Sequence, residues 1–273
     1  MNWLQCIIFG LISGLSEFLP VSASAHNQIL RQLFGIRRSD PIADLVVHIC
    51  VLGALFITWR APIDVIRRET RMATRGTRVY NRIYRGNLDA RFIKTAATIL
   101  LIGMVLLRYL NLNVVSLPIM ALILIINGVV LYLPNRLLQG NKDARLMSSF
   151  DAMLVGIGSA LSVIPGISRI GFSISISVMR GADQKHALTW AYLLSIPVLI
   201  LLIGMDFLSI IFGSGGLSLS AGFWGYLLIG LSAFIGAYFA ITAMKFLVVN
   251  RNTTVFAYCS WGVALLALIL YLI

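Results

Sequence analysis

The chain has 273 residues, of which 59% are hydrophobic and 12% charged, and its mean hydropathy is +0.91. That composition excludes an ordinary soluble domain and carries the signature of a membrane protein. The net charge of +12 would suggest nucleic acid in a soluble protein; here the basic residues lie between apolar runs, where topology and anionic headgroups account for them, and no nucleic acid is expected.

The first run, MNWLQCIIFGLISGLSEF, lacks a basic leader and a small-residue cleavage site, so it is read as part of the mature chain. Apolar spans follow near 42–59, 93–110, 115–134, 149–164, 187–205, 222–245 and 254–273, after the first at 2–19. Two shorter Ser-rich segments, near 20–34 and 166–179, each follow a proline, Pro20 in EFLPVSASAH and Pro165 in VIPGISRIGFS. Proline breaks a helix, and in lipid the freed carbonyls need protein or a water-filled cavity. The expected fold is therefore all-α and integral to the membrane: one polytopic domain over 1–273, with about six transmembrane helices and two re-entrant helix pairs. Setting Pro20 against Pro165 aligns Ala23–Ser24 with Ser168–Arg169 and suggests an inverted repeat, with halves at about 1–134 and 149–273. The cysteines Cys6, Cys50 and Cys259 make no metal or disulfide pattern and read as small buried hydrophobes.

Charge tests this topology. The 60–94 loop carries Arg60, Arg67, Arg68, Arg71, Arg75, Arg78, Arg82, Arg85, Arg91 and Lys94. With six crossings, Arg136, Lys142, Arg145, Arg180, Lys185, Lys245 and Arg251 fall on the same side, making seventeen of 22 basic residues. Only Arg31, Arg37, Arg38 and Arg108 fall on the other. The bias assigns the 60–94 loop to the cytoplasm, where it would touch anionic lipids.

Ionisable residues at bilayer depth are functional candidates. Glu17, His26, His48 and Arg169 lie within spans, with Asp44 and Asp151 near span ends. Ser13 and Glu17, four apart, share a helix face. Beyond the first break Ser22, Ser24 and His26 add hydroxyls and an imidazole. Beyond the second, Gly166 permits a tight turn, and Ser168, Arg169 and Ser173 with helix-start amides make an anion cradle. This set suits a phosphorylated headgroup, with Glu17 able to hold a cation. A structural ion pair between Glu17 and Arg169, and a core role for His26, are the bland alternatives. His48, mid-span beside Cys50 and Gly53, reads as structural.

These residues carry a resemblance. SGLSEFLPVSASAH at 13–26 resembles the EGxTEFLPVSSTGH motif of the undecaprenyl pyrophosphate phosphatases of the bacitracin-resistance type. PGISRIGFS at 165–173 resembles their PGxSRSGxT, and HICVLGALFITWR at 48–60 a third stretch. The resemblance covers nearly the whole chain. It implies a hydrolase of the bacterial inner membrane, dependent on a divalent cation (Mg or Ca), with its site facing the outer side. Its substrate would be a polyprenyl diphosphate, cleaved to the monophosphate and phosphate for recycling of the cell-wall lipid carrier. It implies Glu17 as metal ligand with a weak contribution from Ser13. Glu17, His26, Arg169 and Ser22 would be catalytic; Ser168, Arg169, Ser173, Ser24 and Gly166 would bind phosphate. The chain departs from the motifs at Ser13 for Glu, Ala23 for Ser, Ala25 for Gly and Ile170 for Ser. Those departures keep a second reading open, a relative that binds or flips polyprenyl phosphates without hydrolysis; a homodimer is also left open.

Overall fold

The structure, a computed structural model, describes residues 1–36, 40–65, 67, 89–112, 115–136, 140–143, 146–212, 219–249 and 254–272. Most of the basic loop, with Arg68 to Arg85, and also Arg37, Arg38, Arg145 and Arg251, lie outside these residues. The described residues form ten α-helices and no named strand. The first half contains α1 (Trp3–Phe18), α2 (Ala23–Leu33), α3 (Pro41–Thr58), α4 (Asp89–Tyr109) and α5 (Leu117–Tyr132). The second contains α6 (Ser149–Ala160), α7 (Arg169–Met179), α8 (Gln184–Phe212), α9 (Phe223–Val249) and α10 (Thr254–Leu272).

Local chemistry sets the ends. Asn2 and Gln5 form a reciprocal capping box on α1, and Ser148 and Asp151 form one on α6. Asp40 caps α3 directly before Pro41. Burial pushes the Asp40 carboxyl upward, but hydrogen bonds from Ser220, Ala43 and Tyr226 outweigh it and hold the pKa below the usual value. α1 stops at Phe18 because Leu19, ahead of Pro20, takes an extended conformation. At the second break a short 3₁₀ turn, Leu161–Val163, carries α6 into extended Ile164 and Pro165.

Five helices (α3, α4, α8, α9 and α10) are long and apolar enough to cross a membrane. α5, expected as the sixth, has 16 helical residues extended by the 3₁₀ turn Leu133–Arg136. The broken pairs α1–α2 and α6–α7 are shorter, as their prolines require. Large apolar side chains such as Ile102, Leu106, Leu122, Leu231 and Leu265 stand exposed, as lipid-facing surfaces do. The chain is an all-α integral membrane protein. Cys6 is buried as expected and Cys50 half-buried; Cys259 departs from expectation, because it lies on an outer face of α10.

The packing follows the repeat. Exchanging the halves maps α1 onto α6 and α4 onto α9, and α1 packs on α9 just as α6 packs on α4. Likewise α3 packs on α9 and α8 on α4, while α3–α8 and α5–α10 pair across the centre. Each half thus completes the other. The two interlocking contacts are backbone to backbone, built on glycine. A methyl group at Gly14 would lie 2.0 Å from the Ala233 carbonyl oxygen, and one at Gly156 would lie 2.6 Å from that of Ala96. Gly14→Ala is therefore expected to cost about 1–3 kcal/mol through overpacking. Gly53→Ala, with nothing within 4 Å of the added carbon, is its control and should be neutral or slightly stabilising. Unfolding midpoints of the two variants in detergent would check this.

Candidate active site

The two breaks meet. The Gly166 amide donates to Ser22 Oγ at 3.1 Å, across 144 residues of sequence. That bond diverts the Ser22 hydroxyl from its own helix, so α2 has no side-chain cap. Ser22 holds φ at +64°, a conformation costly for a residue with a side chain. Gly166 sits at φ +109°, and a carbon added there would lie 2.8 Å from Ile123; glycine is the residue this turn requires.

The helices that start beyond the breaks correspond differently from the proline alignment. α2 begins after Ser22 and α7 after Ser168, so these two N-caps are the structural equivalents. One more residue lies between Pro165 and Ser168 than between Pro20 and Ser22, which shifts the register by one.

A cavity of about 760 Å³ opens beside both helix starts. Ala23 and Ser24 line it from α2, and Ser168, Arg169 and Ile170 from α7. Two helix N-termini, each with unshared amides and the positive end of a macrodipole, thus face one space, which favours an anion. Ser168 caps α7 through the Gly171 amide at 3.1 Å, and its own amide donates to Asn127 Oδ1 at 2.9 Å. Asn127, fully buried on α5, also donates to Ser260 on α10 at 2.9 Å.

Arg169 donates from Nη2 to Glu17 Oε1 at 2.6 Å, joining the two broken pairs, and both side chains are nine-tenths buried. Its Nε is buried without a hydrogen-bond partner, as is Ser173 Oγ. The guanidinium lines the cavity at a helix start, where its charge favours an oxyanion.

Of the residues expected at the site, Glu17, Ser24, Ser168 and Arg169 line the cavity together. Ser22, Gly166 and Ser173 stand behind the wall, the first two as the joint between the breaks. His26 does not line the cavity; its Nδ1 is 2.9 Å from the Ser22 carbonyl oxygen. Ser13 also stays off it, 1% exposed and donating to Asn27 Oδ1 at 2.7 Å.

The cavity brings in residues that the sequence reading left aside. Arg31 pairs with Asp44, and His48 Nδ1 lies 2.6 Å from Asp206 Oδ2 on α8. Arg108 lines the same space. Asp206 was legible as an intramembrane carboxylate, but a span ended at 205 hid it, whereas α8 runs on to Phe212. Asn127 showed as a lone amide in LILIINGVVLYL.

A divalent cation fits this donor set poorly. Among the described residues no three His, Cys, Asp or Glu groups stand close enough to hold an ion, and each cavity carboxylate already faces Arg169, Arg31 or His48. Hard cations want several free oxygen ligands.

Comparison with known proteins agrees with this architecture. A family model described as bacitracin resistance protein BacA matches residues 6–266. An undecaprenyl-diphosphatase of Carboxydothermus hydrogenoformans is 29% identical over 270 residues, covering 98% of each chain. One from Halothermothrix orenii is 30% identical over 282 residues, covering 99% of this chain and 98% of its own. One from a Nocardioides species is 35% identical over 204 residues, 73% of each chain. A match over residues 6–266, reaching both broken pairs and all five long helices, makes this chain a member of the BacA family.

Proposed function

We propose that the chain is a membrane phosphatase that hydrolyses a polyprenyl diphosphate to the monophosphate and inorganic phosphate, in the recycling of the lipid carrier of cell-wall synthesis. The observation that carries this reading is the Arg169 guanidinium lining the cavity on which two helix N-termini converge. The family and the names of its relatives supply the substrate class.

The chemistry follows from the residues. The terminal phosphate sits against the starts of α2 and α7, with Ser24 and Ser168 hydroxyls as further donors. Arg169 offers the charge-assisted bonds that strengthen as negative charge moves toward the bridging oxygen. Glu17 fixes the guanidinium through Nη2 at 2.6 Å, so that the cation needs no reorganisation.

The position of the cavity supports an outward-facing site. It is lined by the C-terminal ends of α2, α4 and α8 and by the first half of α3, the end remote from the basic loop. Arg31 and Arg108, two of the few basic residues assigned to the charge-poor side, are concentrated in it. By the charge bias this side is the outer one of the bacterial inner membrane, and the basic loop meets anionic lipid on the other.

The test is phosphate release from farnesyl and undecaprenyl diphosphate by the purified full-length chain, with magnesium, with calcium and with chelator. Release of one phosphate per diphosphate is expected. Retained diphosphate binding without release under any cation would instead establish the non-hydrolytic reading.

A further inference from the structure

The hydrolysis proposed above needs a group to take the proton of the attacking water, and no residue assigned so far can. Arg169 is a permanent cation, Glu17 is spent on it at 2.6 Å, and His26 lies off the cavity. We infer that His48, oriented by Asp206, is the acid–base residue of this site; the inference rests on the phosphatase reading.

Geometry carries it. His48 and Asp206 come from α3 and α8, equivalent helices of the two halves that pack against each other at the centre of the fold. Both line the same cavity as Glu17 and Arg169, and their side chains are 17% and 14% exposed. The 2.6 Å contact uses Nδ1, and Nε2 makes no hydrogen bond among the described residues. It is also absent from the sealed, unpartnered buried atoms. A carboxylate on Nδ1 sets the tautomer, fixes the ring and supports the imidazolium, leaving Nε2 to accept a proton. Asp44, the cavity carboxylate on α3, is not a rival partner, because Arg31 holds it.

The step balances without any further reactant. The water oxygen bonds to the terminal phosphorus and its proton passes to His48 Nε2. The bond from that phosphorus to the bridging oxygen breaks, and the oxygen leaves with the electron pair as polyprenyl monophosphate. The imidazolium then returns its proton to solvent.

Asp206 is a positioning residue, and its role is separable from a merely structural clamp between α3 and α8. The charged and titratable groups around the imidazole are Glu17 on α1, Arg31 on α2, Asp44 on α3, Arg108 on α4, Arg169 on α7 and Asp206 on α8. Glu17, Asp44 and Asp206 all act on it electrostatically. The base works as neutral imidazole, so the rate falls as pH falls and the ring is protonated.

The experiment is the pH profile of kcat and KM for farnesyl diphosphate with the full chain in detergent. His48→Gln is expected to lower kcat by roughly 10²–10⁴-fold with little change in KM, and to remove the acidic limb. Asp206→Asn is expected to retain the limb but move it to lower pH, because the imidazolium loses its counter-charge. An active wild type whose His48→Gln variant keeps both kcat and limb overturns the inference and leaves the phosphatase reading intact. Should His48→Gln fail to fold, the Asp206→Asn profile decides: an unmoved limb overturns the inference. A wild type that binds but never releases phosphate overturns both.

Discussion

Arg169→Ala is expected to lose both activity and stability, and the two losses have different causes. Removing a preorganised donor to a developing oxyanion costs about 10²–10³ in kcat. Arg169 also supplies a full charge, so the loss should reach the upper end of that range. Stability falls because Glu17, only 9% exposed, is left without its counter-ion; breaking one side of a buried pair costs about 3–5 kcal/mol. The cavity admits water to this pair, which places the cost at the lower end.

Glu17→Gln combined with Arg169→Gln separates the two. Neutralising both partners removes the stranded charge, so stability should return toward that of the native chain while activity stays lost. A double variant that regains phosphate release would show the ion pair to be a structural joint between the halves, and the guanidinium charge to be incidental to the reaction. Arg169→Lys keeps charge but loses the planar fork, and is expected to fall between wild type and Arg169→Ala in rate.

The fold was legible where it depends on long runs and on proline. Apolar length located every span-length helix, and Pro20 and Pro165 located the breaks, because one residue chemistry decides each. Arg31 and Arg108, counted only for the charge bias, both line the cavity. What sequence could not show was which side chains turn into the cavity. Ser13 and Glu17 share a helix face by spacing, yet Glu17 reaches Arg169 and Ser13 is turned to Asn27. The Ser13–Asn27 contact has no signal in either motif. His48 looked structural because its partner lies 158 residues away on a different helix. The single-residue shift between the two N-caps likewise has no local signal, since Gly166 absorbs it through a backbone conformation rather than a side chain. The motifs name which residues gather near the two breaks, but their division into wall, joint and cavity is a property of packing.

Asn127→Leu is expected to reduce phosphate release strongly although the residue lines no part of the cavity. Asn127 is fully buried and accepts the Ser168 amide at 2.9 Å while donating to Ser260. It holds the N-cap of α7 in place from behind, anchored in turn to α10. Leucine preserves the volume but leaves the Ser168 amide and the Ser260 hydroxyl unpartnered, at a cost of about 1–3 kcal/mol for each stranded group. The chain can relieve part of that by moving Ser168, and Arg169 follows directly in sequence. A displacement of about 1 Å at a positioning group is enough for a loss near 10²-fold in rate. The expected signature is a lowered kcat with the folded protein still recoverable from detergent, and Ser260→Ala, which removes only the outer anchor, should have a smaller effect in the same direction. Equal activity in Asn127→Leu and the native chain would mean that the α7 cap holds its geometry through the Gly171–Ser168 bond alone.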